Sequence, residues 1–185
     1  MKAVLISIQP KRVEKIANGE KTIEVRKTAP KQVPFKAYIF CTKGKYEWLY
    51  RVDNNGYGKP QSWHGKVIGE FVCDKVIKTC GWCLRGDTQQ CAKRTTAEEA
   101  FPKLACLTID EIVKYAGSEN REVCGLHISD LKIYDKPKEL SEFRVSCPTS
   151  CENCKNPLYY ECWCEEKGVK VLTRAPQSWQ YVEEL

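Results

Sequence analysis

Histidine is scarce in this chain: only His64 and His127 occur among 185 residues. A paired-histidine ribonuclease centre would need both rings in one place, and His127 opens a run, His127-Ile128-Ser129-Asp130-Leu131, that reads as structural. Long apolar runs are missing too. None approaches the ~20 residues that cross a bilayer as a helix, so neither a spanning helix nor a membrane partner is expected. The opening Met1-Lys2-Ala3-Val4-Leu5-Ile6-Ser7-Ile8 is too short an apolar run for a signal peptide and meets Gln9-Pro10-Lys11-Arg12 at once. It reads as the first strand of a cytoplasmic protein. No internal repeat or low-complexity tract is present. No single sign of charge dominates: 30 basic and 24 acidic residues leave +6, a mild excess compatible with nucleic acid and equally with a protein of scattered charges. With 29% charged and 10% aromatic residues the composition is globular, and the length suits one domain over 1–185.

Cysteine is abundant, at 12 residues. Without an export signal, reduced thiols are expected, and dense thiols in a reducing compartment point to metal. Cys147, Cys151, Cys154, Cys162 and Cys164 place five thiols in eighteen residues. Thiolates supply the charge and soft donor character that tetrahedral zinc needs, and a Cys-x2-Cys pair puts two sulfurs on one side of the ion. The preferred set is Cys154, Cys162 and Cys164 with Cys147 or Cys151. A closed four-cysteine site leaves no position for water, so this zinc would be structural, holding the cysteine-rich segment 145–173 in place of a core. A second cysteine-containing segment, 78–106, carries Cys80-Gly81-Trp82-Cys83, Cys91 and Cys106. Its spacing resembles half of another metal site, completed by Cys106 or Cys73, and also has the form of a redox pair. A redox reading needs a strong helix start after the pair, which Gly86-Asp87 does not offer.

Coarse patterning predicts strands at 3–8, 22–26, 37–41 and 65–73, one or two more within 122–134, and a closing strand near 177–182. Pro10 suits the first turn of a helix that Gly19 ends. Thr108-Ile109-Asp110-Glu111 is a capping box opening a short helix that stops near Gly117. Strand and long helix do not alternate regularly, which argues for an α+β fold or a small barrel and against a doubly wound sheet.

The run Gly19-Glu20-Lys21-Thr22-Ile23-Glu24-Val25-Arg26 alternates from Thr22 onward. Ile23 and Val25 would face the core, with Thr22, Glu24 and Arg26 on the other side. That second face is either a solvated sheet surface or a polar pocket. In a pocket, Lys21 and Glu24 would form an acid–base pair if burial moved their pKa values toward neutrality, and Arg26 would hold an anion. Glu24 and Arg26 alone would equally make a structural ion pair.

Gly-x-Lys-x-x-Glu-x-Arg after a short helix resembles the signature of ASCH domains, of the PUA-like superfamily, with Gly19, Lys21, Glu24 and Arg26 matching it. Gly65-Lys66-Val67-Ile68-Gly69-Glu70-Phe71, His127 to Leu131, Pro137-Lys138-Glu139-Leu140-Ser141-Glu142-Phe143 and Arg174-Ala175-Pro176-Gln177-Ser178-Trp179 are similar to segments of its phage and prophage branch. On this resemblance the cysteine-bearing segments are insertions on a shared core. The resemblance implies a small PUA-like β-barrel with short helices at its openings and a cleft for RNA, a nucleotide or a modified nucleoside. Lys21, Glu24, Arg26, Lys27 and Lys66 would serve the ligand there, with Trp63, His64 or Trp179 stacking on a base. Some such domains are amidohydrolases of acylated cytidine and some are reported as ribonucleases. Lys21 matches the lysine of the amidohydrolases, Glu24 stands where they have threonine, and Glu70 is a candidate for their glutamate. This departure favours binding over hydrolysis. A third reading is a zinc-stapled module of phage origin with a protein partner.

Overall fold

The structure is a computed structural model, and it describes residues 3–44, 48–53, 55–87, 100–145 and 171–185. Strand β1 (Ala3–Ile8) is buried at all six positions. Such a strand belongs inside a sheet with both faces covered. It pairs in parallel with β3 (Phe35–Cys41) and antiparallel with the closing strand β10 (Trp179–Val182). β6 (Val67–Cys73) and β9 (Ser129–Lys138) extend this sheet to five strands in the order β10-β1-β3-β6-β9. Alternation along β1 and β3 splits the core in two. Val4, Ile6, Phe35, Ala37 and Ile39 enter the larger cluster, while Leu5, Tyr38 and Phe40 enter a smaller one with Phe143 on the opposite face.

A second sheet has three strands, β2 (Ile23–Arg26), β8 (Val123–His127) and β7 (Val76–Thr79), with β8 in the middle. β4 (Leu49–Val52) and β5 (Gly58–Gln61) form a separate hairpin. Its Tyr50 N–H donates to Glu14 Oε1 at 2.7 Å, which ties it to helix α1 (Pro10–Ala17). Pro10 opens α1, where a missing N–H costs nothing, and Val13 and Ile16 bury its inner face. Gly19 follows at φ +73, a left-handed conformation that suits glycine and turns the chain into β2.

Two further short helices, α2 (Gly81–Arg85) and α3 (Phe101–Leu104), precede α4 (Ile109–Ala116). α4 has the expected capping box: Thr108 Oγ1 accepts from the Glu111 N–H, and the Glu111 carboxylate accepts from the Thr108 N–H. Gly117 ends it at φ +104. Phe101, Ile112 and Ala116 pack with Ile23, Val25 and Val123 into a third cluster. Phe101 is fully buried, and a Cβ on Gly125 would come within 2.3 Å of its ring. The close of the 78–106 segment is therefore part of a core. Arg144 bridges to Val171, so the chain leaves toward residues 146–170 and returns at one place.

The α+β class stands. A closed barrel is not found: the described strands make sheets of five, three and two, with no continuous ring of strand pairing among them. Among the described residues no helix is long and apolar enough to cross a membrane.

Candidate functional site

Strand β2 places the signature residues. Ile23 and Val25 point into the third core cluster. Glu24 and Arg26 take the opposite face, which is not solvated: they are only 1% and 7% exposed. Both line a cavity of about 970 Å³. Its walls come from the start of α1, the end of β3, Tyr115 of α4 and the segment 173–178. The volume lies in the range of small-molecule sites, roughly 300–1,000 Å³.

Among the described residues four cations line this cavity, Arg12, Arg26, Lys43 and Arg174, against the single carboxylate of Glu24. That carboxylate is already engaged. Its Oε1 is 2.9 Å from the Arg26 Nη2, and its Oε2 is 3.4 Å from Lys21 Nζ. Arg26 Nη2 also donates to the Ser7 carbonyl at 2.6 Å, which fixes the guanidinium against β1. Ser7 in turn anchors the 173–178 wall. Its Oγ donates to Pro176 O at 2.5 Å and its N–H to Ser178 O at 3.0 Å. Two buried polar atoms here have no hydrogen-bond partner among the described residues: Arg26 Nε and Glu24 Oε2. An unpaired buried donor costs about 1–3 kcal/mol, so a guanidinium kept this way in a cavity wall suits an incoming acceptor.

Lys21 stands behind this face. It is 1% exposed and does not line the cavity. Its ammonium donates to Ile23 O and Ala105 O, both at 2.7 Å. Thr22 N–H donates to Leu104 O at 2.9 Å, so the lysine and its neighbour take up the carbonyls of the last residue of α3 and of its C-cap. Burial pushes the Lys21 pKa below its usual range, and Glu24 opposes that shift. Lys21 is thus a positioning residue for Glu24.

The other expected site residues are spread out. Lys27 lies beyond the cavity, with its ammonium 5.5 Å from the centre of the Tyr115 ring. Lys66 pairs with Glu139 at 2.6 Å. Trp63 is 1% exposed in the main core, so burial, not ligand stacking, occupies its ring. Trp179 donates to Thr28 O at 3.1 Å and packs edge-on against Tyr181. Glu70 accepts from Tyr134 Oη at 2.6 Å and does not line the cavity. His64 does not line it either. Arg12, Lys43, Tyr115 and Arg174 were not singled out as ligand residues from sequence. Only Arg174 had a signal, as the first residue of the run ending in Trp179.

Cys147, Cys151, Cys154, Cys162 and Cys164, and also Cys91, lie outside the described residues. Cys80 Sγ is 3.4 Å from Cys83 Sγ, and Cys80, Cys41, Cys73, Cys106 and Cys124 are free thiols. Cys106 is elsewhere, its thiol donating to Glu20 O at 3.3 Å. Among the described residues no three potential ligands gather into a metal site.

The architecture is that of a known class of solved structures, the ASCH domains. The ASCH protein of Zymomonas mobilis superposes with a TM-score of 0.55 over 99% of this chain and 89% of its own, at 16% identity. A tyrosine-to-phenylalanine mutant of that protein gives the same TM-score and identity over 100% of this chain and 92% of that one. A serine-to-alanine mutant of it gives 0.55 at 15% identity, over 99% of this chain and 89% of that one. No family model matches the sequence, and no curated protein matches it. The likeness is one of fold.

Proposed function

We propose that this chain is an ASCH-domain protein, of the phage and prophage branch, that binds RNA, a nucleotide or a modified nucleoside in the cavity floored by Glu24 and Arg26. The observation that carries this reading is the buried Arg26, whose Nε–H has no partner among the described residues and which lines the cavity beside Arg12, Lys43 and Arg174. A planar guanidinium with a free donor suits a phosphate or the acceptor edge of a base, and the further cations suit additional phosphate oxygens. Tyr115 offers a ring for stacking. Glu24 holds Arg26 in place from one side and Ser7 O from the other. Titration with a labelled single-stranded RNA at low salt tests this. Arg174→Gln, an exposed change, is expected to weaken binding about tenfold, and Arg26→Met to abolish it with the fold retained. Unchanged affinity in both variants would remove the reading.

Glu24 favours one second reading, a hydrolase in the same cavity: its carboxylate lines the cavity, and among the described residues its Oε2 meets only the Lys21 ammonium, at 3.4 Å. Glu24 would take a proton from water as its oxygen attacks the acyl carbon of an acylated cytidine or the phosphorus of an RNA phosphodiester, and return that proton to the leaving amine or ribose oxygen as the C–N or P–O bond breaks, with Lys21 and Arg26 fixing the carboxylate. Turnover on either substrate that survives Glu24→Gln would sink it. The zinc staple in 145–173 stands beside both readings as a proposal resting on cysteine spacing, and a partner protein docked on that staple is a third use of the chain.

A further inference from the structure

A second cavity of about 790 Å³ lies on the same three-stranded sheet. It is lined by Lys27, Lys31 and Lys78, with Glu122 as its carboxylate, and it has an apolar lining that includes Pro30, Val76 and Cys124. Its position follows from register. Arg26 pairs with Cys124 across β2 and β8, and Cys124 pairs with Lys78 across β8 and β7. Residues directly opposite in antiparallel strands share a face. One cross-strand row therefore runs from Arg26 of the first cavity to Lys78 of the second, their backbone positions two strand spacings or about 10 Å apart. Two contacts join the linings of the two cavities. Lys27 lines the second cavity and stands over Tyr115, which lines the first. Thr28 of the second accepts from Trp179, the neighbour of Ser178 in the first.

Charge concentrates along this row. Among the described residues, Arg12, Arg26, Lys43 and Arg174 in one cavity and Lys27, Lys31 and Lys78 in the other face only Glu24 and Glu122. The two cavities thus hold a net +5, while the whole chain carries +6. A single mononucleotide in one cavity would leave the lysines or arginines of the other unmatched.

We infer that the second cavity is a subsite for the neighbouring nucleotide of a single strand whose first nucleotide occupies the Arg26 cavity. This rests on the nucleotide-binding reading of that first cavity. The lysines would face the linking phosphates, and the apolar lining around Pro30 and Val76 would receive a splayed base. A duplex cannot do this, because its bases are stacked and paired. The ligand is then an oligonucleotide and not a free nucleoside.

The test compares the protein with its Lys31→Gln/Lys78→Gln variant, two exposed changes away from the first cavity. The probes are a fluorescein-labelled mixed-sequence RNA 10-mer, followed by anisotropy, and the four nucleoside 5′-monophosphates, followed by saturation-transfer NMR. The 10-mer is expected to bind at least tenfold more tightly than any monophosphate. The variant should lose most of that advantage, keep monophosphate affinity within twofold, and flatten the log–log salt dependence by about 1.4, at ~0.7 per lost phosphate contact. Equal 10-mer affinity in both proteins, with monophosphate binding intact, overturns the subsite alone. Displacement of the 10-mer by polyglutamate of matching charge overturns it as well, since charge without bases would suffice. No binding of either probe by the unmodified protein overturns the first-cavity reading and this inference together.

Discussion

Lys21→Met removes one buried ammonium and leaves its shape largely filled. The lysine is 1% exposed, donates to Ile23 O and Ala105 O at 2.7 Å, and stands 3.4 Å from Glu24 Oε2. Two carbonyls lose their side-chain donor, each at about 1–3 kcal/mol where water does not replace it. Glu24 keeps Arg26 at 2.9 Å, so it is not stranded as an uncompensated charge. The cost of burying the ammonium is recovered, which offsets part of the loss. The expected net destabilisation is about 3 kcal/mol, or a Tm lower by about 6–12 °C for a chain of this size. Urea unfolding measures it, with Lys66→Met as a surface control that should cost well under 1 kcal/mol. The pH dependence gives an independent sign. Because the folded pKa of Lys21 is lowered, the unfolded chain binds more protons between that pKa and the usual 10.5. The Lys21 contribution to stability therefore rises with pH through this window. Buried Cys73 and Cys41, pushed up to about 11 and about 12, act in the opposite sense above their ordinary range. The difference between the protein and Lys21→Met isolates the lysine, and it should change with pH only in the lysine window. A loss below 1 kcal/mol, equal to the control, would refute the account of Lys21 as a staple between β2 and the end of α3.

Phe101→Ala should cost about 3–5 kcal/mol by chemical denaturation, because its fully buried ring is a centre of the third core cluster; a change under about 1 kcal/mol would place residue 101 outside any core. Thr108→Ala should cost about 1 kcal/mol, since it removes the acceptor for the Glu111 N–H, and Thr108→Ser should restore most of it. Elemental analysis of protein purified without added zinc should give at least one ion per chain, and chelation should lower Tm. Absence of zinc, with the five thiols from Cys147 to Cys164 freely titratable, would refute the four-cysteine site.

Much of the frame was legible because local signals agreed with tertiary demands. Pro10 and Gly19 bracket α1, and Thr108 with Glu111 opens α4 as its side chains require. Alternation along residues 22–26 put Ile23 and Val25 inward, and they are inward. What alternation does not encode is whether the second face meets water or protein. Both faces of β2 are buried, so the Glu24 and Arg26 face became a cavity wall. The rest of that wall comes from residues far apart in sequence. Arg12, Lys43, Tyr115 and Arg174 meet only because β1 pairs with both β3 and β10 and Ser7 holds the 173–178 segment. Aromatic composition misled at Trp63, where a core ring and a stacking ring look alike in sequence. The barrel expected from the resemblance became separate sheets, since strand pairing around a ring is a long-range property that short motifs do not carry.

The central claim is that the buried Arg26 guanidinium, whose Nε–H has no partner among the described residues, receives a nucleic-acid ligand. The most direct measurement follows the Arg26 Nε–H cross-peak in ¹H–¹⁵N spectra, assigned by its loss in Arg26→Met, while single-stranded RNA is added at low salt. The account predicts a shift of that peak that saturates with the same Kd as the anisotropy change. A peak that stays in place while the RNA reaches saturation would contradict it.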